Sequence, residues 1–136
     1  MSEFKSLYAA ALAYLARREH SQWQLRQKLL VKFPQERALI NQVIELLAQE
    51  NYQSDARFAD AYLYYRVQKG YGPKKIAYEL TARGIQTVEC DSAFARGDYD
   101  WKQLQEQARV KKFGTTPPTE FLSKAKQRHY LQQRGF

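Results

Sequence analysis

Residues Arg66-Val67-Gln68-Lys69-Gly70-Tyr71-Gly72-Pro73-Lys74-Lys75-Ile76 close one helix, turn tightly and open the next. Gly70 stands where a helix ends in the left-handed conformation, in which a Cβ is penalised. Gly72 and Pro73 then read as N-cap and first helical residue, since proline fixes φ and lacks an N–H that would be unpaired there anyway. The stretch holds four cations and no acid. Two of them, Lys74 and Lys75, lie in the first turn of the following helix, the end at which the dipole disfavours positive charge. A local rule broken at a turn marks a place to look for function.

Working outward, the chain reads as helices joined by short turns. Leu7, Ala11, Tyr14, Leu15 and Arg18 recur at helical spacing in an alanine-rich segment, which predicts a helix over 4–18. Ser21-Gln22-Trp23-Gln24 is a capping-box pattern opening a second helix that runs to Phe33 and buries Leu25 and Leu29. Pro34 stops it and starts a third, whose Leu39, Ile40, Val43, Ile44 and Leu47 form the most apolar face of the chain, with Asn51 as its C-terminal cap. Ser54 or Asp55 caps a fourth over 55–69, with Phe58, Tyr62 and Tyr65 on one face. A fifth spans 73–83 with Ile76 and Leu80 inward and Gly84 at its end; a weaker sixth spans 86–96 with Val88 and Phe94 and ends at Gly97. Asp98 or Asp100 caps a seventh over 101–113, carrying Trp101, Leu104 and Ala108. A stiff connector around Pro117-Pro118 precedes an eighth over 120–134. No segment alternates with the period of a strand.

A repeat underlies this order. Leu80-Thr81-Ala82-Arg83-Gly84-Ile85 matches Leu131-Gln132-Gln133-Arg134-Gly135-Phe136 at an offset of 51 residues. The same offset relates Leu25 to Ile76, Leu29 to Leu80, Leu7 to Phe58, and the two N-caps Ser21 and Gly72. For the first helices of the second and third units the offset is 46, as in Phe58 to Leu104 and Tyr62 to Ala108, and the proline connector restores 51. The chain therefore reads as all-α, three tandem three-helix repeat units forming an elongated module: 1–51, 52–97 and an incomplete 98–136 with two helices only. The arithmetic predicts a natural chain longer by one helix, on the order of 15 residues.

The chain carries 22 Lys and Arg against 14 Asp and Glu, a net charge of +8. Residues 1–70 contribute +3 and residues 71–136 contribute +5, so the charge belongs to the whole fold and not to a tail. Such a balance favours a polyanionic partner, nucleic acid or an acidic protein surface. The lone Cys90 excludes an internal disulfide and suits a reducing compartment. With no signal-peptide pattern and no membrane-length apolar run, the expectation is a cytoplasmic protein, and a monomer.

Catalytic chemistry finds no constellation. His20 and His129 lie in different units without metal-ligand spacing; His20 reads as a polar turn residue, Cys90 as a small buried one, and Asp98 and Asp100 as caps. No phosphate-loop pattern is present, and neither metal nor cofactor is expected. The candidates are basic. Arg66, Lys69, Lys74 and Lys75 gather at the central corner, with Tyr71 and the outward Tyr78; Arg17 and Arg18 end the first helix, Arg26 and Lys28 decorate the second, and Lys111 and Lys112 end the seventh. Cations at helix C-termini answer the dipole, which accounts for Arg17, Arg18, Lys69, Lys111 and Lys112 but not for Lys74 and Lys75. Gly70, Gly72 and Pro73 are assigned to shape. Tyr62 and Tyr65 read as packing between repeats, while Tyr64 and Tyr71 are divided between packing and stacking on unpaired bases.

Arg18-Glu19-His20-Ser21, Leu25 and Lys28-Leu29, then Asp55-Ala56-Arg57-Phe58-Ala59, Lys69-Gly70-Tyr71-Gly72-Pro73-Lys74-Lys75-Ile76, Asp100-Trp101 and Arg134-Gly135-Phe136 together resemble the RecX regulatory proteins of bacteria. The resemblance runs in order along nearly the whole chain, and the Gly-Tyr-Gly-Pro segment is its most distinctive part. It implies a non-enzymatic protein that binds filaments of the recombinase RecA on single-stranded DNA, lies along their groove, hinders extension, and lowers ATP hydrolysis and strand exchange. The family's usual final helix has no counterpart here. The competing reading is a helical module that binds DNA phosphates without sequence preference, because the fifth helix lacks an outward set of Asn, Gln and Arg side chains for base edges.

Overall fold

A computed structural model describes residues 2–136, the side chain of Ser2 excepted. Among the described residues there are eight α-helices and no strand: α1 (Ser2–Arg17), α2 (Gln22–Lys32), α3 (Arg37–Gln49), α4 (Asp55–Gln68), α5 (Pro73–Ala82), α6 (Thr87–Gly97), α7 (Trp101–Phe113) and α8 (Phe121–Gln133). The all-α expectation holds.

Most ends follow local chemistry. The Ser21 hydroxyl accepts from the Gln24 N–H while the Gln24 side chain accepts from the Ser21 N–H, a complete capping box on α2. Ser54, and not Asp55, caps α4, and Asp100, and not Asp98, caps α7. Three expectations need correction. α3 starts at Arg37 because Pro34 sits in a turn closed by a bond from the Glu36 N–H to the Phe33 carbonyl, the position for which proline's fixed φ is suited. α6 keeps Gly97 within it; Asp98 takes the left-handed cap, and Gly97 is small because a Cβ there would lie 2.5 Å from the Tyr99 ring. On α4 the buried stripe is Phe58, Ala59, Leu63 and Val67, which leaves Tyr65 exposed; on α6 it is Cys90 and Ala93, which leaves Val88 exposed.

The core forms two clusters. In the first, Leu7 and Ala11 of α1, Leu25 and Leu29 of α2, and Ile40, Val43, Ile44 and Leu47 of α3 are all fully enclosed. Each buried Leu or Ile there stabilises by about 1.5–3 kcal/mol relative to exposure. The second cluster takes Phe58, Ala59, Leu63 and Val67 of α4 with Ile76, Leu80, Ile85, Cys90 and Ala93. Trp101 and Leu104 of α7 pack against this second cluster. α7 has no fully buried residue and α8 has one, Leu131, so the α7–α8 pair leans on its neighbour and on an edge-to-face contact between Phe113 and Tyr130 at 5.4 Å.

Two joints tie these parts together, and they are built alike. At the first, the C-terminus of α5 meets the N-terminus of α2: the Ser21 hydroxyl donates to the Arg83 carbonyl at 2.7 Å. At the second, the C-terminus of α8 meets the N-terminus of α5: the Gly72 N–H donates to the Arg134 carbonyl at 2.7 Å and the Lys74 N–H to the Gly135 carbonyl at 2.9 Å. Gly72 has no side chain with which to cap α5, and these carbonyls do that work instead. The negative end of α8 thus faces the positive end of α5, which offsets the charge of Lys74 and Lys75 in that first turn.

A polar knot reinforces the first joint. Gln53, buried between α3 and α4, donates through Nε2 to the His20 carbonyl at 3.2 Å and to Asp55 Oδ1 at 2.9 Å, and that carboxylate also accepts from the Gln22 N–H. Arg57 pairs with Glu19 at 2.6 Å beside it. His20 does sit in the α1–α2 turn, but it is only 1% exposed, which corrects the reading of it as a simple polar turn residue. A neutral ring protonated on Nδ1 satisfies both contacts: Nδ1 donates to the Arg18 carbonyl at 3.0 Å and Nε2 accepts from Lys28 Nζ at 2.9 Å. Burial lowers its pKa below the usual histidine value, and the charges of Arg18 and Lys28 lower it further against the opposing bond to the Arg18 carbonyl.

Candidate functional site

The central corner is where the cations meet structure first. Arg66 grips Glu79 with both arms, Nε to Oε1 and Nη2 to Oε2 at 2.9 Å each, and Tyr62 donates its hydroxyl to the same carboxylate at 2.9 Å. The Arg66 and Glu79 side chains are 19% and 16% exposed. Burial alone would raise the Glu79 pKa, yet the bonds from Arg66 and Tyr62 and the nearby positive charge outweigh it and hold the carboxyl below its usual range. The charge of Arg66 is therefore cancelled where it stands, and its role here is to lock α4 to α5.

Tyr71 is a platform for cations. The Arg66 and Arg134 guanidinium carbons lie 3.8 and 4.0 Å from its ring centroid, and Lys75 Nζ lies at 5.4 Å. Its ring is thereby engaged inside the protein. Gly70 carries the expected positive φ, +85°. Gly72 is buried in ordinary extended backbone, and its need for glycine is spatial: a Cβ would lie 2.5 Å from the Gly135 carbonyl carbon.

Lys74 and Tyr78 project from α5 into solvent, Tyr78 with 75% of its surface exposed. The side chains of Lys74, Lys111 and Arg17 have no hydrogen-bond or ion-pair partner among the described residues. Lys69 stretches over the Tyr65 ring at 5.4 Å and Lys112 over the Tyr130 ring at 5.5 Å. Arg18 bonds to the Glu19 carbonyl and to Gln24, and Arg26 to Asn41 on α3. Lys28, held against His20 and over the Tyr14 ring at 4.9 Å, has its pKa lowered by burial and then by Arg18 and Arg17.

The fold brings some of these side chains together and leaves others apart. Lys69, Lys111 and Lys112, distant in sequence, line one cleft of about 280 Å³ with Tyr130 and Arg134 at the second joint. Arg134 is fixed there by bonds from Nη2 to the Lys69 carbonyl at 2.6 Å and from Nε to the Gly70 carbonyl at 3.2 Å. Arg18 lines a larger cleft of about 440 Å³ at the first joint, with Glu19, Tyr62, Tyr65 and Arg83. Lys74 and Tyr78 line neither. Sequence reasoning takes Arg83 only as a repeat landmark and Arg134 as a repeat and family landmark, and it misses Tyr130; the recurrence of Arg-Gly at 83–84 and 134–135 is the signal that could have singled out the two arginines.

Among the described residues no group of three or more His, Cys, Asp and Glu side chains is placed to hold a metal ion. Cys90 is buried, and burial, then Asp91, pushes its thiol up from the usual value, away from the reactive thiolate. Among the described residues, no helix is long and apolar enough to cross a membrane.

Comparison with known proteins gives one answer throughout. Residues 8–47 match the family model of the first RecX three-helix domain and residues 54–96 that of the second. The chain is 40% identical to the regulatory protein RecX of Cronobacter sakazakii over 99% of its own length and 87% of that protein's. It is 35% identical to the one from Halorhodospira halophila, over 93% of itself and 78% of the relative. Its fold matches a crystal structure of regulatory protein RecX with a TM-score of 0.81 at 19% identity, covering 98% of this chain and 66% of that one. A crystal structure of RecX from Lactobacillus salivarius matches with a TM-score of 0.63. With two of the family's domains in order and this identity over most of the relatives' length, the chain belongs to the RecX family of regulatory proteins.

Proposed function

We propose that the chain is a non-enzymatic regulator that binds RecA filaments on single-stranded DNA, hinders their extension, and so lowers ATP hydrolysis and strand exchange. Membership of the RecX family carries this reading. The site supports it: exposed cations recur at the helix corners, at Arg17 and Arg18, at Lys69 and Lys74, and at Lys111 and Lys112. Units over 1–51, 52–97 and 98–136, one after another, would offer successive corners to successive subunits of a helical filament. The protein acts as a cytoplasmic monomer without cofactor.

The test is RecA ATP hydrolysis on single-stranded DNA with increasing amounts of this protein. Inhibition at amounts well below those that coat the DNA supports filament regulation. Inhibition only at coating amounts, or none, overturns it. Lys74→Glu is the cleanest single probe of the central corner, because that side chain has no internal partner while Arg66 and Lys75 do. A Lys74→Glu protein that inhibits as well as the wild type removes the central corner from the binding face.

A second reading, a phosphate-binding module without sequence preference, is favoured by the cationic cleft at the second joint. The exposed residues of α5 are Lys74, Tyr78, Thr81 and Ala82, a set without the Asn, Gln or Arg that reads base edges. Any DNA contact would then be to the backbone and strongly salt-dependent.

A further inference from the structure

The two joints leave different spaces beside them. At the first, Phe58, Ala61 and Tyr62 of α4 line the cleft of about 440 Å³ together with Arg18 and Arg83. At the second, the residues that correspond by the offset of 46, Leu104, Gln107 and Ala108, line a space of only about 120 Å³ with Tyr71 and Phe136. The open apolar cleft is therefore no by-product of this kind of joint; it belongs to the first one. Its volume falls within the roughly 300–1,000 Å³ of clefts that take ligands, which present aromatic side chains and a few convergent polar groups. The polar groups here are two guanidiniums, and among the described residues neither has a carboxylate partner. Arg18 uses only Nη1, toward the Glu19 carbonyl and the Gln24 side chain. Arg83 uses only Nη1, toward the Glu79 carbonyl, and its guanidinium carbon lies 4.7 Å from the Tyr62 ring centroid. The acids nearby are committed elsewhere, Glu19 to Arg57 and Glu79 to Arg66 and Tyr62. Each arginine keeps Nε and Nη2 for an incoming acceptor.

We propose that the cleft at the first joint docks a protein segment that presents one large apolar side chain beside a carboxylate. The apolar side chain packs on Phe58, Ala61 and Tyr62, and the carboxylate takes the free fork of Arg18 or Arg83 in a charge-assisted bond. A single anchor seated in a pocket is how the energy of protein interfaces concentrates. Phe58 is buried, while Tyr65, 55% exposed, carries the apolar wall out to the surface, so residues that flank the anchor can run on beyond the cleft. Charge complementarity selects the occupant. Two cations and one acid line the cleft, which is little for a strand of phosphates and matched to one or two carboxylates. A second copy of this chain, at a net charge of +8, is repelled. The proposal goes beyond the regulatory reading, which rests on exposed cations at the corners, Arg18 among them; here the anchor is apolar, and the test contains no RecA.

The experiment is fluorescence anisotropy of a labelled peptide, Gly-Asp-Phe-Asp-Gly, with the whole protein. Replacing the peptide's Phe by Ala, or both of its Asp by Asn, should weaken binding about tenfold in each case, the size of a lost apolar burial or a lost charge-assisted bond. Ala61→Trp fills the cleft without changing any charge and should weaken the parent peptide about tenfold. Ala38→Trp, exposed on α3 and outside the cleft, should leave it unchanged. Arg18→Gln with Arg83→Gln should abolish the preference for Asp over Asn and keep that for Phe over Ala, a split that lost folding would not give. Helical circular dichroism checks the fold of each variant. Labelled oligothymidylate should bind Ala61→Trp as it binds the wild type. The proposal is overturned by a peptide that fails to bind, that binds equally well after either replacement, or that binds Ala61→Trp as tightly as the wild type. A double arginine variant that still prefers Asp over Asn overturns it too. So does oligothymidylate binding weakened by Ala61→Trp as much as peptide binding, because the cleft would then serve a nucleic acid. Failure of the RecA assay with these results intact would sink only the regulatory reading.

Discussion

The Gly72 N–H donates a 2.7 Å hydrogen bond to the Arg134 carbonyl, and at the place that corresponds to Gly72 by the offset of 51, the Ser21 hydroxyl donates one of the same length to the Arg83 carbonyl. One joint is closed by backbone and the other by a side chain. The difference is one of space. A Cβ on Gly72 would lie 2.5 Å from the Gly135 backbone, so the second joint is too tight for the residue that serves the first.

Gly72→Ala is accordingly expected to lower stability by about 1–3 kcal/mol through forced separation of α5 and α8. Gly114→Ala is the comparison: nothing lies within 4 Å of an added Cβ, but its φ of +91° with ψ of 178° is a conformation almost confined to glycine, so its loss of about 1–3 kcal/mol comes from backbone strain alone. Urea denaturation of both measures this. A Gly72→Ala protein as stable as the wild type would mean that the α5–α8 joint is not closed in solution.

Ser21 should yield two separable losses. It caps α2 and also bonds to Arg83. Ser21→Ala removes both, for about 2 kcal/mol, while Ser21→Gly keeps most of the cap preference and loses mainly the joint, for about 1 kcal/mol. If the glycine variant is as stable as the wild type, the Arg83 bond contributes nothing and the capping box is the whole role of this serine.

The Arg66–Glu79 lock predicts an asymmetric mutational response. Arg66→Met leaves Glu79 largely enclosed without its partner and should cost about 2–3 kcal/mol, below the roughly 3–5 kcal/mol of a fully buried pair. Adding Glu79→Gln to that variant should recover part of the loss, a coupling that a double-mutant cycle reads directly. Glu79 has its folded pKa below the reference of 4.5, so its contribution is complete above that value and fades as pH falls through the folded one. Additive effects of the two substitutions would show that the pair is not coupled.

Helix number, type and most caps were legible because each rests on local chemistry: the Ser21–Gln24 box, Pro73 at the start of α5, Gly70 and Gly84 at helix ends. The misreadings are those that needed a neighbour. Tyr65 lies at helical spacing from Phe58 and Tyr62, yet the stripe that meets α6 runs through Ala59, Leu63 and Val67, and the pattern of one helix cannot say where its partner lies. Arg66 reads as a free cation in a basic stretch because Glu79 is thirteen residues away and faces it only once α5 packs on α4. The cleft lysines were visible one by one at helix ends. Their convergence with Arg134 was not, since it depends on how α7 and α8 dock against the end of α4.

His20 gives the sharpest dependence on pH. Its ring faces the Arg18 carbonyl, Lys28 Nζ and the Tyr14 ring at 6.0 Å, with its own carbonyl held by Gln53. Protonating Nε2 would destroy the acceptor for Lys28 and set two cations against each other. The folded pKa is thus lowered from the reference value of 6.5, and the unfolded chain binds the proton more readily. Stability is fully present above about pH 6.5, falls as pH drops towards the lowered folded value, and loses nothing more from this group below it. The window opens at a higher pH than that of Glu79, whose upper end is its reference value of 4.5, so the upper part of the fall belongs to His20. Urea midpoints measured between about pH 7.5 and about pH 5.5 should fall for the wild type, and His20→Gln should flatten that fall whatever its cost in absolute stability. Parallel slopes for the two proteins would show that His20 titrates alike in the folded and unfolded chain.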